Sequence, residues 1–225
     1  LNIEGTSNTT STTIFANSNI IKSVKIGNQT WMTENLNVDK FRNGDLIPEI
    51  KSPNEWEKAG KSGKPAWCYF ENDDLNGEKY GKLYNWFAVN DLRGLAPEGW
   101  HIPSDKEWSI LIKFFFTEDE AGISLKSQQG WNSYESEESD DDSESLMISG
   151  NGSNSSGFYG LPGGCRYEDG QFCDIGDIGN WWSSSLYDTN LAWSVNLRTF
   201  FDNIETSWSN RNEYGYSVRC IKDKK

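Results

Sequence analysis

Two adjacent tryptophans in "GNWWSSSLYDTNLAWSV", residues 179–195, show the constraint that governs this chain. It carries eleven Trp, nine Tyr and eleven Phe, with Asn, Ser and Gly filling most of the sequence between them. Burial must therefore be concentrated in large rings joined by many turns, rather than in long aliphatic runs. If the segment is a strand, Trp181 and Trp182 point to opposite faces, so at most one can meet solvent. The favoured reading makes "WWSSS" core scaffold, with "LYDTN" as a turn and Trp193 on the return strand. The alternative is a stacking platform for a sugar or peptide.

With 225 residues, the chain is long enough for one large domain with a sizeable core. A formal net charge of −13 argues against nucleic acid and anionic membrane partners, both of which require a basic face. No run of 18 apolar residues is present, so no transmembrane segment is expected. The polar Ser/Thr/Asn stretch over 1–22 reads as a flexible leader or stalk, with the domain proper at 23–225. Seven acids between Glu135 and Glu144 read as an exposed loop insertion, with loose calcium collection as the alternative.

Several elements are legible. "VKIGNQTWM" alternates about a Gly-Asn turn and predicts a hairpin. "SPNEWEKAG" predicts a short helix capped by Ser52, with Pro53 at its first position and Glu55 completing a capping box. "KYGKLYNWFAVNDLRG" places Leu83, Trp86, Phe87 and Asn90 on one stripe and predicts a buried helix ending near Gly94. "PSDKEWSILIKFFF" predicts the clearest helix. Ser104 and Glu107 form its capping box, and Trp108, Leu111, Ile112 and Phe115 form its apolar face. Two main helices with the short one at Ser52, followed by Gly-punctuated strands and long loops, give an α+β domain.

The four cysteines lack metal-ligand spacing, and disulfides in an oxidising compartment are favoured over free buried thiols. A turn at Glu168–Gly170 brings Cys165 opposite Cys173, and Cys68 pairs with Cys220 by elimination. The single histidine, His101, reads as a structural residue bonded to nearby backbone. No serine elbow or singled-out carboxylate pair points to hydrolysis. Asn72, Asp74 and Asn76 match the first half of a calcium loop, but Leu83 stands where its bidentate acid belongs, which favours an Asx-capped turn. Asn151, Ser153 and Asn154 in "GNGSNSSG" read as a Gly-rich bend.

The surface with binding chemistry is "NLRTFFDNIETSWSNRNEYG". There Arg198, Phe200, Phe201, Asn203, Trp208, Asn210 and Arg211 mix rings with amides and guanidinium groups. A two-sided β region with one buried face would show the same mixture.

"VKIGNQTWMTENLNV", "YGKLYNWFAVND", "LAPEGWHIPSDKEWSIL", "GSNSSGFYGLPGGCRY", "WWSSS" and "GYSVRCIKD" together resemble the Fibrobacter succinogenes major paralogous domain family over roughly residues 24–223. The resemblance implies a secreted or outer-surface anchored protein, often a lipoprotein. It also implies an irregular fold similar to C-type lectins and formylglycine-generating enzymes, with two main helices, a small antiparallel sheet and long loops. Ala96 stands where relatives often carry a cysteine. The cysteine pair of formylglycine-generating enzymes has no counterpart in residues 196–215, and the calcium-holding motifs of sugar-binding C-type lectins are missing. In retroelement-diversified proteins of this fold, ligand contacts precede the closing strand, matching residues 196–214 here. The expectation is a non-catalytic binding or adhesion module recognising a glycan or surface protein. The alternatives are a polysaccharide-active enzyme and a structural surface-layer component.

Overall fold

The computed structural model describes residues 21–135, 146–211 and 213–224, with side chains at 208–211 also excluded. The expected leader, apart from its last two residues, and the acidic loop beyond Glu135 therefore lie outside the described residues.

The chain runs β1 (Ser23–Ile26), β2 (Gln29–Met32), α1 (Pro53–Lys61), β3 (Trp67–Cys68), α2 (Asp74–Tyr80), β4 (Leu83–Tyr84), α3 (Trp86–Val89), β5 (Trp100–His101), α4 (Asp105–Ile112) and α5 (Glu118–Leu125). It continues through β6 (Ser133–Glu135), β7 (Met147–Ser149), β8 (Gly163–Arg166), β9 (Phe172–Ile175), β10 (Ile178–Leu186), β11 (Leu191–Arg198), β12 (Ile204–Arg211) and β13 (Ile221–Lys222). One sheet has the order β1-β2-β13-β5 and a second the order β12-β11-β10-β8-β9, beside the small β3–β4 and β6–β7 ladders. Pairing between these strands is antiparallel except at β10–β8, beside isolated parallel bridges such as Trp181↔Ser217. The architecture is mixed α+β. The described residues hold five α-helices rather than the two main helices and one short one expected.

The capping signals explain where helices start. Ser52 accepts a hydrogen bond from the Glu55 amide at α1, although the reciprocal half of that box is not formed. Ser104 and Glu107 form both halves at α4. The buried helix expected over 79–94 is a single turn, α3. Leu83 and Tyr84, inside the expected helix, instead pair with Cys68 and Trp67 in a strand ladder. Asn85 then caps the turn through its side chain, which also accepts from Ala66 N and donates to Lys64 O.

Strand β10 divides the core. Trp182 packs on one face with Tyr84, Trp86, Trp100 and Tyr216, and Trp181 on the other with Trp31, Trp108, Phe158 and Leu197. Both adjacent tryptophans are thus fully buried, each in a different cluster. The serines that follow tie the strand to its neighbours. The Ser183 carbonyl accepts from Trp86 Nε1, and Ser185 Oγ donates to Asp105. A third cluster holds Trp56, Ala66, Cys68, Phe70 and Leu83.

Four cations are buried without a carboxylate partner among the described residues: Lys82, Lys126, Arg166 and Arg219. Backbone carbonyls, neutral side chains and ring faces replace carboxylates. Arg166 donates to the carbonyls of Ile50, Lys51 and Gly170 and lies over Trp56 and Phe172. Arg219 donates to Asn35 Oδ1 and the Met32, Phe158 and Tyr159 carbonyls. Such pairing satisfies the donors without desolvating a second charge.

Cys165 and Cys173 sit opposite each other across β8–β9 and are disulfide-bonded. The expected Cys68–Cys220 bond is not formed, and both are free buried thiols. Cys68 belongs to the Trp56 cluster and Cys220 to the Trp182 cluster. Burial pushes each thiol pKa up to about 12.

Candidate functional site

The C-terminal segment makes an open groove of about 480 Å³ lined by Ile112, Glu118, Asn196, Arg198, Asn203, Ile204, Glu205, Thr206 and Ser207. Strands β11 and β12 supply one side, joined in the register Asn196↔Glu205 and Leu197↔Ile204. The α4–α5 connection supplies the other. Helix α5 reaches this position because Gly122 has no side chain: a Cβ there would stand 1.8 Å from Asp202 O. A second recess of about 210 Å³, lined by Lys113, Phe115, Phe116 and Thr117 among others, shares Ile112, Glu118 and Thr206 with the groove.

Within the groove Arg198 Nε donates to Asn196 Oδ1 at 3.1 Å and lies 3.2 Å from Glu205 Oε2. The half-exposed ion pair holds the guanidinium across the two strands and adds little to stability. Hydroxyl, amide, carboxylate and guanidinium groups therefore converge beside the apolar Ile112, while Phe116 stands 97% exposed at the adjoining recess.

Of the residues nominated from sequence, Arg198 and Asn203 meet in this groove. Phe200 and Phe201 do not line it. Phe200 packs edge-on against Tyr134, and the Phe201 carbonyl accepts a hydrogen bond from Lys126. Trp208, Asn210 and Arg211 occupy β12 positions, the last two opposite Ala192 and Leu191, but their side chains lie outside the described residues. Sequence reasoning missed Glu118, Asn196 and Glu205. Their polar character is ordinary for helix starts and strand edges, and only the tertiary register brings them together.

The calcium candidate takes a different form. Asp74 begins α2, capped by Asp73, and Asn76 lies within that helix, its amide donating to Phe70 O. Two residues apart on a helix, Asp74 and Asn76 point to different sides and cannot converge on one ion. Asn72 Oδ1 is buried without a partner among the described residues, while its amide donates to Lys51 O. Among the described residues, the one group of three His, Cys, Asp or Glu ligand atoms close enough for an ion is Cys165, Cys173 and Asp174. Its two sulfurs are already bonded to each other.

His101 is bonded to carboxylates rather than to the expected backbone. Nε2 meets Glu107 at 2.9 Å and Nδ1 meets Asp223 at 2.6 Å. Burial opposes its charging, but the two acids outweigh burial and raise its pKa. Ser104 Oγ donates to the other Glu107 oxygen at 2.8 Å while capping α4. With Glu107 between them, the histidine cannot take the serine proton as a triad base does. In the "GNGSNSSG" bend, Asn151 Oδ1 and Asn154 Oδ1 accept from the Trp131 and Tyr159 amides.

A match to the Fibrobacter succinogenes major domain spans residues 24–222, from β1 to the end of β13. The chain belongs to that family. No curated protein and no solved structure matches it. The Fibrobacter succinogenes major domain of this chain thus includes all five described helices and the groove. No described helix is long and apolar enough to cross a membrane.

Proposed function

We propose that this domain is a non-catalytic, extracellular binding or adhesion module, secreted or anchored at an outer surface, with a C-type-lectin-like fold. Its ligand is a glycan or a surface protein, held by the segment before the closing strand. The groove carries this reading: Arg198 and Asn203, nominated for their chemistry, line one polar recess beside β12. Shape and convergent polar groups are what a binding site requires, whereas fold likeness alone would supply no function.

The test is a glycan array and a surface-protein pull-down with the purified domain, each run with calcium and with chelator. Ligand capture should persist in chelator and fall about tenfold in Arg198→Ala, the loss of one good charged hydrogen bond. Undiminished capture by Arg198→Ala and Asn203→Ala variants that keep the native near-UV spectrum would overturn it. A polysaccharide-active enzyme has one favouring observation, since Glu118 and Glu205 line the same groove. Glu205 is committed to the Arg198 ion pair, and release of reducing ends from a polysaccharide panel would establish this second reading.

A further inference from the structure

The groove touches Ile204, Glu205, Thr206 and Ser207 in succession. Side chains of a strand alternate between its faces, so a pocket above one face meets every second residue. Here Ile204 packs into the Trp181 cluster, while Glu205 meets Arg198 on the opposite face. A groove in contact with all four residues, and with Asn196 and Arg198 of β11 on the Glu205 face, wraps from that face around the rim of the strand. That rim is the end of the five-stranded sheet, because among the described residues β12 is paired with β11 alone. An edge of this kind is a template for one more strand unless something covers it. Helix α5 crosses closely at Asp202 and Asn203, before β12 begins, and leaves the groove alongside the next residues.

We propose that the β12 rim binds an extended, basic peptide segment of a partner protein by strand addition, with main-chain hydrogen bonds to β12 and cationic side chains toward the acidic groove wall. This rests on the binding-module reading and commits it to a protein ligand. The charge distribution selects the partner. The first turn of α5 carries Glu118, Asp119 and Glu120, Asp202 is exposed beside it, and Arg198 is neutralised by Glu205. On a chain with a net charge of −13, this rim repels acidic strands, including a second copy of itself, and attracts basic ones. The recess at Phe115 and Phe116 adjoins through Thr206 and gives apolar side chains of the same segment a surface. Strand addition of this type takes affinity from the main chain and selectivity from alternate side chains.

The test uses the whole domain and three octapeptides: alternating Lys and Val, alternating Glu and Val, and the Lys peptide N-methylated at every second residue. Binding is measured by anisotropy, and amide exchange is followed across β12. The Lys peptide should bind saturably and slow exchange at residues 204–206. The Glu and N-methylated peptides, and the Lys peptide against Glu118→Lys, should each bind about tenfold more weakly. Equal binding of the N-methylated peptide, unchanged exchange in β12, or no saturable binding of the Lys peptide would overturn strand addition. If a glycan binds instead and is lost in Arg198→Ala, the binding-module reading stands and this inference falls. If neither class binds, both fall.

Discussion

Trp86 and Trp108 are both buried, at 4% and 1% exposure, yet their indole nitrogens are treated differently. Trp86 Nε1 donates to Ser183 O at 3.0 Å, whereas Trp108 Nε1 is buried with no partner among the described residues. Replacing either by Phe removes similar ring area. Trp86→Phe also strands a buried carbonyl, while Trp108→Phe removes a donor that was already unsatisfied. Trp86→Phe is therefore expected to be the more destabilising by about 2 kcal/mol, read from urea midpoints at constant m-value. Equal losses would mean that the Trp108 indole has a partner after all. The aromatic content made deep burial of rings legible in the sequence, and alternation at Trp181–Trp182 made their opposite directions legible. Which indole finds a carbonyl depends on chain segments about a hundred residues apart, and no local pattern encodes that.

At the scale of elements, the capped helix α4 was readable because Ser104, Glu107 and the Trp108–Leu111 spacing all act within two turns of chain. The helix expected over 79–94 was misread for the opposite reason. Leu83 fits an apolar helical stripe with Trp86 and Phe87, but the strand pairing of Leu83 and Tyr84 with Cys68 and Trp67 is set by chain distant in sequence. The site divides in the same way: Arg198 and Asn203 are recognisable as binding chemistry, whereas Glu118 joins them only through the close approach of α5 at Gly122. His101 illustrates the coupling between elements, since it joins β5 to α4 through Glu107 and to the chain after β13 through Asp223. The raised His101 pKa adds stability that is fully present below its unfolded value of about 6.5 and is lost as pH rises through the folded value. The Glu107 pKa is lowered: burial opposes this, but bonds from Ser104 and His101 prevail. Its contribution is present above about 4.5 and is lost as pH falls through the folded value. The pair therefore helps most between about pH 4.5 and 6.5. His101→Asn should flatten the loss of stability from pH 6 to 8, by less than about 1 kcal/mol because the ring is partly exposed. Denaturant titrations at half-unit pH steps would show it, and an unchanged slope in the variant would sink the assignment.

Over the whole molecule, the charges inside and outside are balanced by different means. Lys82, Lys126, Arg166 and Arg219 are held by carbonyls, neutral polar groups and rings. The ion pairs that do form sit at partly or fully exposed side chains. Burying four of the 21 Lys and Arg residues without an ion-pair contact among the described residues leaves 34 Asp and Glu to be offset at the surface largely by what remains. The net charge of −13 therefore acts as long-range repulsion between surface acids, which salt screens over a Debye length of about 10 Å at 0.1 M. The buried cations lie out of reach of that screening, and the exposed pairs contribute little to lose. Stability is consequently expected to rise with salt. Between about 0.01 and 0.3 M NaCl the gain should be on the order of 1 kcal/mol, or roughly 2–4 °C in Tm for a chain of this size. Thermal melts in a fixed buffer would check it. A fall in Tm over that range would mean that attractive pairs outweigh the repulsion, and that the interior cations lean on carboxylates rather than on carbonyls and rings.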